Sequence, residues 1–259
     1  MYRILLLFVF MCPLLYGQNS LRYIQNEAFG FGEKLEYKVG YQFVKAGTAS
    51  FYILPKPAIM KGKSCYDIRF EVKSLQSLDW LYRVKDIYRT VVDVEGIFPH
   101  YFEQHVREGN YKRDFTASFD QQAHKAYTQK GEFPIPPFVH DIVSAFYFIR
   151  TIDVASKKKN EIIPLKNFFN DTTYALGVKI IGKQKIKVEA GTFNCIVLEP
   201  LITEGGLFKS EGKILMWVTD DERKLPIKVS TKIIIGSIDA ELTQYSGIRG
   251  EIKAKVIED

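Results

Sequence analysis

DIVSAFYFIR, residues 141–150, is the one stretch of this chain that reads as a regular helix, and nearly everything around it reads as strand. Asp141 suits the N-cap, because its side-chain oxygen can accept from the first free backbone N–H groups. Ile142, Ala145, Phe146 and Ile149 recur at helical spacing. Val143, Tyr147 and Phe148 make the other sides apolar too. A helix this apolar must be buried on more than one side. Its only strong charge beyond the cap is Arg150, and a buried Arg needs a carboxylate or carbonyl partner, since an unpaired buried charge is very costly. Just upstream, residues 131–137 carry Pro134, Pro136 and Pro137. Proline cannot donate to a sheet ladder, so this is a linker or crossover delivering the helix.

Away from the helix the period is two. Leu35, Tyr37, Val39, Tyr41 and Phe43 alternate with Lys34, Glu36, Lys38 and Gln42, the pattern of a half-buried strand. Lys45-Ala46-Gly47 is expected to turn the chain and Thr48 to Leu54 to return it. Residues 75–83 break the alternation and predict a loop or short helix that lays Trp80 and Leu81 against the sheet. Further on, Gly182 is expected to turn between Ile180 and Ile186, Gly205-Gly206 marks a connection, and Gly236-Ser237 sits in a last hairpin. The pattern predicts roughly fourteen strands in two runs, before and after the helix, antiparallel because tight turns join them. A sheet this long must curl, split or close. The expected fold is all-β: one β-rich domain over residues 18–259, built as a large curved antiparallel sheet or partly closed barrel, with one buried helix near 141–153.

Residues 1–17, MYRILLLFVFMCPLLYG, have the layout of a secretory signal peptide: a charged start, an apolar middle and a small residue before the cut. The apolar run is short for a membrane span and holds Pro13. Cys12 raises a lipoprotein alternative, but bulky Met11 occupies the position that should be small. Cleavage is expected after Gly17, giving an exported protein, soluble or peripheral.

The formal charge is +6, or +5 without Arg3, and no region owns it. Export and this diffuse charge argue against a nucleic-acid partner. Lys157-Lys158-Lys159 reads as a solvated turn after the helix. Of the cysteines beyond the signal, Cys65 shares strand parity with polar Asp67, Arg69 and Glu71, and Cys195 with apolar Phe193 and Val197. That pattern permits a disulfide without demanding one.

No chemistry announces itself. His100 and His105 have opposite parity, and nothing approaches zinc-site spacing, so no metal and no cofactor is predicted. There is no Gly-x-Ser-x-Gly elbow, phosphate loop or dinucleotide fingerprint. Ser144 has no histidine at a readable distance and is expected to bond to the helix start. Asp220-Asp221-Glu222 reads as an acidic turn. A hydrolase of envelope polymers would need distant carboxylates, such as Glu103 and Asp220, to converge in one cleft.

Aromatic residues make up 14% of the chain. They fill β cores well, yet Phe51-Tyr52-Ile53-Leu54, Ile214 to Val218 and Ile233-Ile234-Ile235 are apolar on both faces. One of those faces must meet something other than water. This points to a non-enzymatic protein holding an amphipathic, lipid-like or glycan ligand between sheet and helix, with Ile142, Phe146, Tyr147, Ile149 and Arg150 as candidate binding residues. The alternative is an envelope scaffold acting through contacts with a partner protein, which sheet edges can recruit.

Several pieces in order are similar to one bacterial family: Gly32-Glu33-x-Leu35-x-Tyr37 with Tyr41 and Ala46-Gly47, Asp141-x-x-Ser144-Ala145-x-Tyr147-x-x-Arg150, Gly191-Thr192-Phe193, and Trp217-x-x-Asp220 with Pro226. Together they resemble the domain of unknown function 3108 family from about Phe29 to Leu242. The resemblance implies a β-rich, exported envelope protein of Gram-negative bacteria, in the periplasm, and carries no catalytic residues across.

Overall fold

A computed structural model describes residues 21–41, 44–202, 213–232 and 236–257. The expected signal peptide with its cleavage point, Gly205-Gly206 and Ile233-Ile234-Ile235 lie outside the described residues. The helix forms where its cap dictates, as α1 (Ile142–Thr151). Asp141 Oδ1 accepts from the N–H groups of Val143 at 2.8 Å and Ser144 at 2.9 Å. Ser144 Oγ accepts in return from the Asp141 N–H at 3.0 Å. This reciprocal capping box satisfies donors that the first turn would otherwise leave unpaired.

Before the helix the chain forms β1 (Lys34–Tyr41), β2 (Val44–Ile53), β3 (Ala58–Met60), β4 (Lys63–Ser74), β5 (Lys85–Asp93), β6 (Pro99–Glu108), β7 (Tyr111–Asp120), β8 (Lys125–Thr128) and β9 (Gly131–Pro134). After it come β10 (Ile162–Phe169), β11 (Thr172–Val188), β12 (Gly191–Ile202), β13 (Ile214–Thr219), β14 (Pro226–Lys232), β15 (Ser237–Ser246) and β16 (Lys255–Val256). All sixteen described strands join one antiparallel sheet, in the order β10-β11-β12-β13-β14-β15-β1-β2-β4-β5-β6-β7-β8-β9, with β3 on β4 and β16 on β12. The predicted class and two-run layout hold, and α1 is the one buried helix among the described residues. The strand number differs because β3 and β16 are too short to show an alternating pattern, the alternation does not mark β10 as a strand, and β9 forms in the first half of the proline stretch expected to be a linker, where Pro134 is tolerated at a sheet edge, while β11 runs unbroken through Gly182.

The sheet curls until its edges meet without sharing a ladder. A single parallel bridge joins His140 to Asn167, through Nα–H···O bonds of 2.9 Å to Lys166 and 2.8 Å from Phe168. Side chains complete the seam. Phe168 packs edge-on against Phe119 at 5.8 Å, and Thr128 Oγ1 donates to Asp171 Oδ1 at 2.7 Å. Both edge strands are blunted against strand addition, β9 by its four-residue length and Pro134, β10 by Pro164.

Inside the curl, α1 divides two apolar clusters. Val143 and Tyr147 join Phe29, Phe102, Phe119 and Phe168 on one side, and Ala145 and Ile149 join Leu165, Ile180, Leu198 and Met216 on the other. A third cluster, around Leu35, Phe193, Trp217 and Ile227, forms where the β11–β12 end folds back over β15. There the Ala190 N–H reaches the Leu242 carbonyl at 3.3 Å. Strand β13 is apolar on both faces because it serves the second cluster with Met216 and the third with Trp217.

Three local expectations are corrected. Lys45-Ala46-Gly47 lies within β2, which is already paired with β1 at Tyr41 and Val44. Gly47 answers to packing: a Cβ there would sit 2.4 Å from the Lys73 carbonyl oxygen of β4. Gly182 does not turn the chain either. It sits in a bulge of the continuous β11, at φ 151°. Finally, Trp80 and Leu81 are not laid on the sheet. They are 81% and 69% exposed, because residues 75–82 close on themselves through backbone bonds to Leu75 and Leu78.

Candidate ligand-binding cavity

Strand register sorts the connections into two ends. Those after β1, β4, β6, β8, β10, β12 and β14 lie at one end of the curled sheet, since Tyr41 pairs with Ile238, Thr231 with Ile214 and Leu176 with Ile202. The opposite end is plugged by residues 21–33. There Arg22 donates to the carbonyls of Gly96 at 2.8 Å and Ile97 at 2.9 Å, and Phe29 is fully buried.

The first end holds a cavity of about 380 Å³ between α1 and the sheet. Ile142, Ala145, Phe146 and Ile149 form its floor. Its walls are the last inward residues of strands approaching that end, among them Val39, Val72, Tyr88, Tyr174, Ile214 and Ala240. Ile238 both lines the cavity and is exposed, which marks the mouth. Among the described residues the lining contains no Asp, Glu, Lys, Arg or His. On the floor the Phe146 ring stacks on Phe51 at 4.8 Å, and Phe51 stacks on Phe70 at 4.2 Å.

Polar atoms are few and differ in how they are used. The Tyr37 hydroxyl donates to the Pro226 carbonyl at 2.9 Å, and burial pushes its ionisation upward. Asn167 is 6% exposed, and its Oδ1 is buried without a hydrogen-bond partner. Such an oxygen carries its full desolvation cost until a donor meets it.

Of the five candidate residues, Ile142, Phe146 and Ile149 line the cavity, and Tyr147 and Arg150 point away from it. The Arg150 guanidinium forms a two-pronged ion pair with Glu33, at 2.6 and 2.8 Å. The two residues are 1% and 0% exposed. Arg150 also donates to the Ala28 carbonyl at 3.1 Å, so the predicted need for a carboxylate or carbonyl is met by both. Burial disfavours its charge, and Glu33 outweighs burial to raise its ionisation overall. Tyr147 packs edge-on against Phe29 at 4.9 Å.

The wall residues were not singled out by the sequence. Alternation places Tyr37 and Val39 on one face, but it does not say which strands surround the helix.

Reactive groups lie elsewhere. Glu103 on β6 pairs with Arg89 at 3.8 Å and Asp220 pairs with Lys183 at 2.6 Å. Neither lines the cavity. Among the described residues no three His, Cys, Asp or Glu side chains gather as a metal site would require. A histidine does stand beside Ser144, contrary to expectation: His140 Nδ1 is 3.3 Å from Ser144 Oγ. Ser144 is fully buried and serves the helix cap. Cys65 and Cys195 are free and buried, and burial pushes both thiols up to about 12. The parity argument misjudged Cys65 because Asp67, on the same face, is itself buried through its pair with Arg89.

His140 gives the fold a pH dependence. Burial, with the nearby Arg22 charge adding to it, lowers its pKa to about 3. An unfolded chain protonates the same ring near pH 6.5. The unfolded state therefore binds the proton first, and stability present above about pH 6.5 is lost as pH falls toward 3, by about 1.4 kcal/mol per unit. Burial raises the neighbouring Asp141 carboxyl, an effect of opposite sign, so the test is a comparison. Between pH 7 and 5 the urea-unfolding free energy should fall about 2 kcal/mol further for the natural chain than for His140→Leu. Parallel slopes would count against this account.

No curated protein matches the chain. Among solved structures, a β-barrel-like protein of domain of unknown function DUF1849 from Brucella abortus superposes with a TM-score of 0.53 at 10% identity, over 88% of this chain and 98% of that one. That likeness is one of fold. A candidate lipoprotein from Parabacteroides distasonis aligns over 87% of this chain and 99% of its own, with a TM-score of 0.39 at 9% identity. The sequence itself matches a family over residues 36–243, a span that takes in the walls and floor of the cavity and Arg150. The chain therefore belongs to the family described as protein of unknown function (DUF3108).

Proposed function

We propose that this chain is an exported, non-enzymatic protein of the cell envelope that holds the apolar part of an amphipathic, lipid-like ligand between α1 and the sheet. The cavity carries this reading. Its volume of about 380 Å³ falls within the range of small-molecule sites, and its carbon lining suits a hydrocarbon chain. A glycan would need several polar partners, and this lining offers few. The blunted edges of β9 and β10 give the scaffold alternative less support. The unpartnered Asn167 oxygen would accept from a hydroxyl or amide carried on the ligand.

Periplasmic location rests on the signal-like residues 1–17, and the N-terminal mass of the protein recovered from its host tests it. Ligand binding is tested by native mass spectrometry of protein purified from its own envelope. A bound mass that organic extraction removes is expected. A clean unliganded mass, with no uptake of a fluorescent apolar probe such as N-phenyl-1-naphthylamine, would overturn the reading.

A further inference from the structure

The end of the sheet at which the cavity opens exposes several large apolar side chains, as the plugged end does with Tyr23, Ile59 and Ile257. Trp80, Leu81 and Tyr82 project from the connection between β4 and β5, Val44 begins β2, Tyr111 begins β7 and Ile238 opens β15. The first three of these connections are knitted together. The Leu75 N–H donates to the Ala46 carbonyl at 2.9 Å, and the Gly109 N–H donates to Arg83 at 2.8 Å. Tyr82 lies against the β6–β7 turn so closely that a Cβ on Gly109 would meet its ring at 2.8 Å. The rim is thus a built feature of the fold, and its apolar groups face outward by construction.

Charge sorts what such a rim can meet. Lys45, Lys85, Lys112 and Lys232 are exposed on the same end, and none has an ion-pair partner among the described residues. The nearby acids are mostly engaged. Asp79 faces Arg83, Glu71 faces Lys73, Asp114 faces Arg107 and Asp239 faces Lys228. Asp86 and Glu108 lie close together, with Asp86 Oδ1 accepting from the Arg107 N–H at 2.9 Å. Burial, then their mutual proximity in the case of Glu108, raises both carboxyls. Aromatic side chains with interleaved free lysines suit the interface of a bilayer bearing anionic headgroups.

We propose that this rim docks on an anionic lipid bilayer, so that the cavity mouth opens against the membrane from which its ligand is drawn. The source of the ligand rests on the binding reading above; the docking surface itself does not. A bilayer is favoured over a protein partner because these apolar groups and lysines stand together along one arc of the mouth, from β14 through β7, so a broad surface that meets them also reaches the opening. A membrane supplies headgroup charge and hydrocarbon at the same place.

The chain contains two tryptophans. Trp217 is buried and donates from Nε1 to Gln184 Oε1 at 2.9 Å, so Trp80 reports on the rim. In the full chain carrying Trp217→Phe, vesicles of phosphatidylcholine mixed with phosphatidylglycerol should shift Trp80 emission to the blue, and brominated lipid should quench it. Neutral phosphatidylcholine vesicles should do much less. Should that variant fold poorly, flotation of the natural chain with the same vesicles gives the second readout. Lys85→Gln with Lys112→Gln should weaken partitioning about 25-fold, about fivefold for each charge. Trp80→Ser with Leu81→Ser should weaken it more than tenfold and leave uptake of N-phenyl-1-naphthylamine unchanged.

Probe uptake without vesicle binding would overturn the docking proposal and leave the cavity reading standing. Vesicle binding without probe uptake would do the reverse. Equal binding to both vesicle types would overturn the role given to charge. A blue shift that grows with protein concentration alone, together with a doubled mass, would assign the rim to self-association and overturn the proposal.

Discussion

Arg150→Met is expected to lower the unfolding free energy by about 3–5 kcal/mol, because it leaves the Glu33 carboxylate buried and unpaired. The two groups meet through two short contacts, 2.6 and 2.8 Å, and both are buried. Geometry of this kind offsets much of the cost of burying both charges, so removing one partner exposes the whole desolvation penalty of the other. Domains have only about 5–15 kcal/mol to lose, so the variant should unfold at far lower urea concentration or fail to accumulate. Glu33→Gln should cost less, since a neutral amide still accepts from the guanidinium. The double replacement Glu33→Leu with Arg150→Met should recover part of the loss. Recovery should be incomplete, because the carbonyls of Ala28 and Arg223 also accept from Arg150, at 3.1 and 3.3 Å. A loss below about 1 kcal/mol for Arg150→Met, the value of a surface pair, would show that the pair is not what joins the last turn of α1 to the plug at residues 21–33.

That pair also shows how far the sequence could be read. The apolar wrap of DIVSAFYFIR made the burial of α1 predictable, and the isolation of Arg150 on it made a partner necessary. Nothing in the spacing pointed to Glu33, 117 positions away, because partners across a curled sheet are set by curvature that a period of two does not encode. The same limit separates the candidate residues. Ile142, Phe146 and Ile149 share a face with the cavity, but a helix apolar on every side gives no pattern by which to separate Tyr147 and Arg150 from them. Trp80 and Leu81 were expected to cover the sheet because large apolar residues usually do. A self-closed loop at the rim overrides that tendency, and its neighbours in space come from turns distant in the sequence. Asn167 gave no signal at all. It is one amide in a stretch that the alternation does not mark as a strand, and its unpartnered oxygen becomes visible only once the His140 bridge has fixed β10 against the helix.

Ala145→Phe is expected to weaken uptake of an apolar probe strongly without unfolding the protein. Ala145 is 3% exposed and faces the cavity from the middle of its floor, flanked by Ile142 and Ile149. A phenyl ring there enters empty space of about 380 Å³, so the overpacking strain of a filled core does not apply. Filling a cavity commonly adds about 0.5–2 kcal/mol of stability, and the urea midpoint should hold or rise. The ring occupies volume that a bound chain would use. Losing the burial of about three methylene groups, at about 0.8 kcal/mol each, weakens binding by about 50-fold. Ala240→Phe approaches from β15 on the opposite wall and should act in the same direction, which separates blockage from damage to the helix. Titration of N-phenyl-1-naphthylamine into both variants, alongside urea unfolding of each, makes the comparison. If both fold as stably as the natural chain and bind the probe with undiminished affinity, the apolar space between helix and sheet is only loose packing, and a ligand must be sought elsewhere on the molecule.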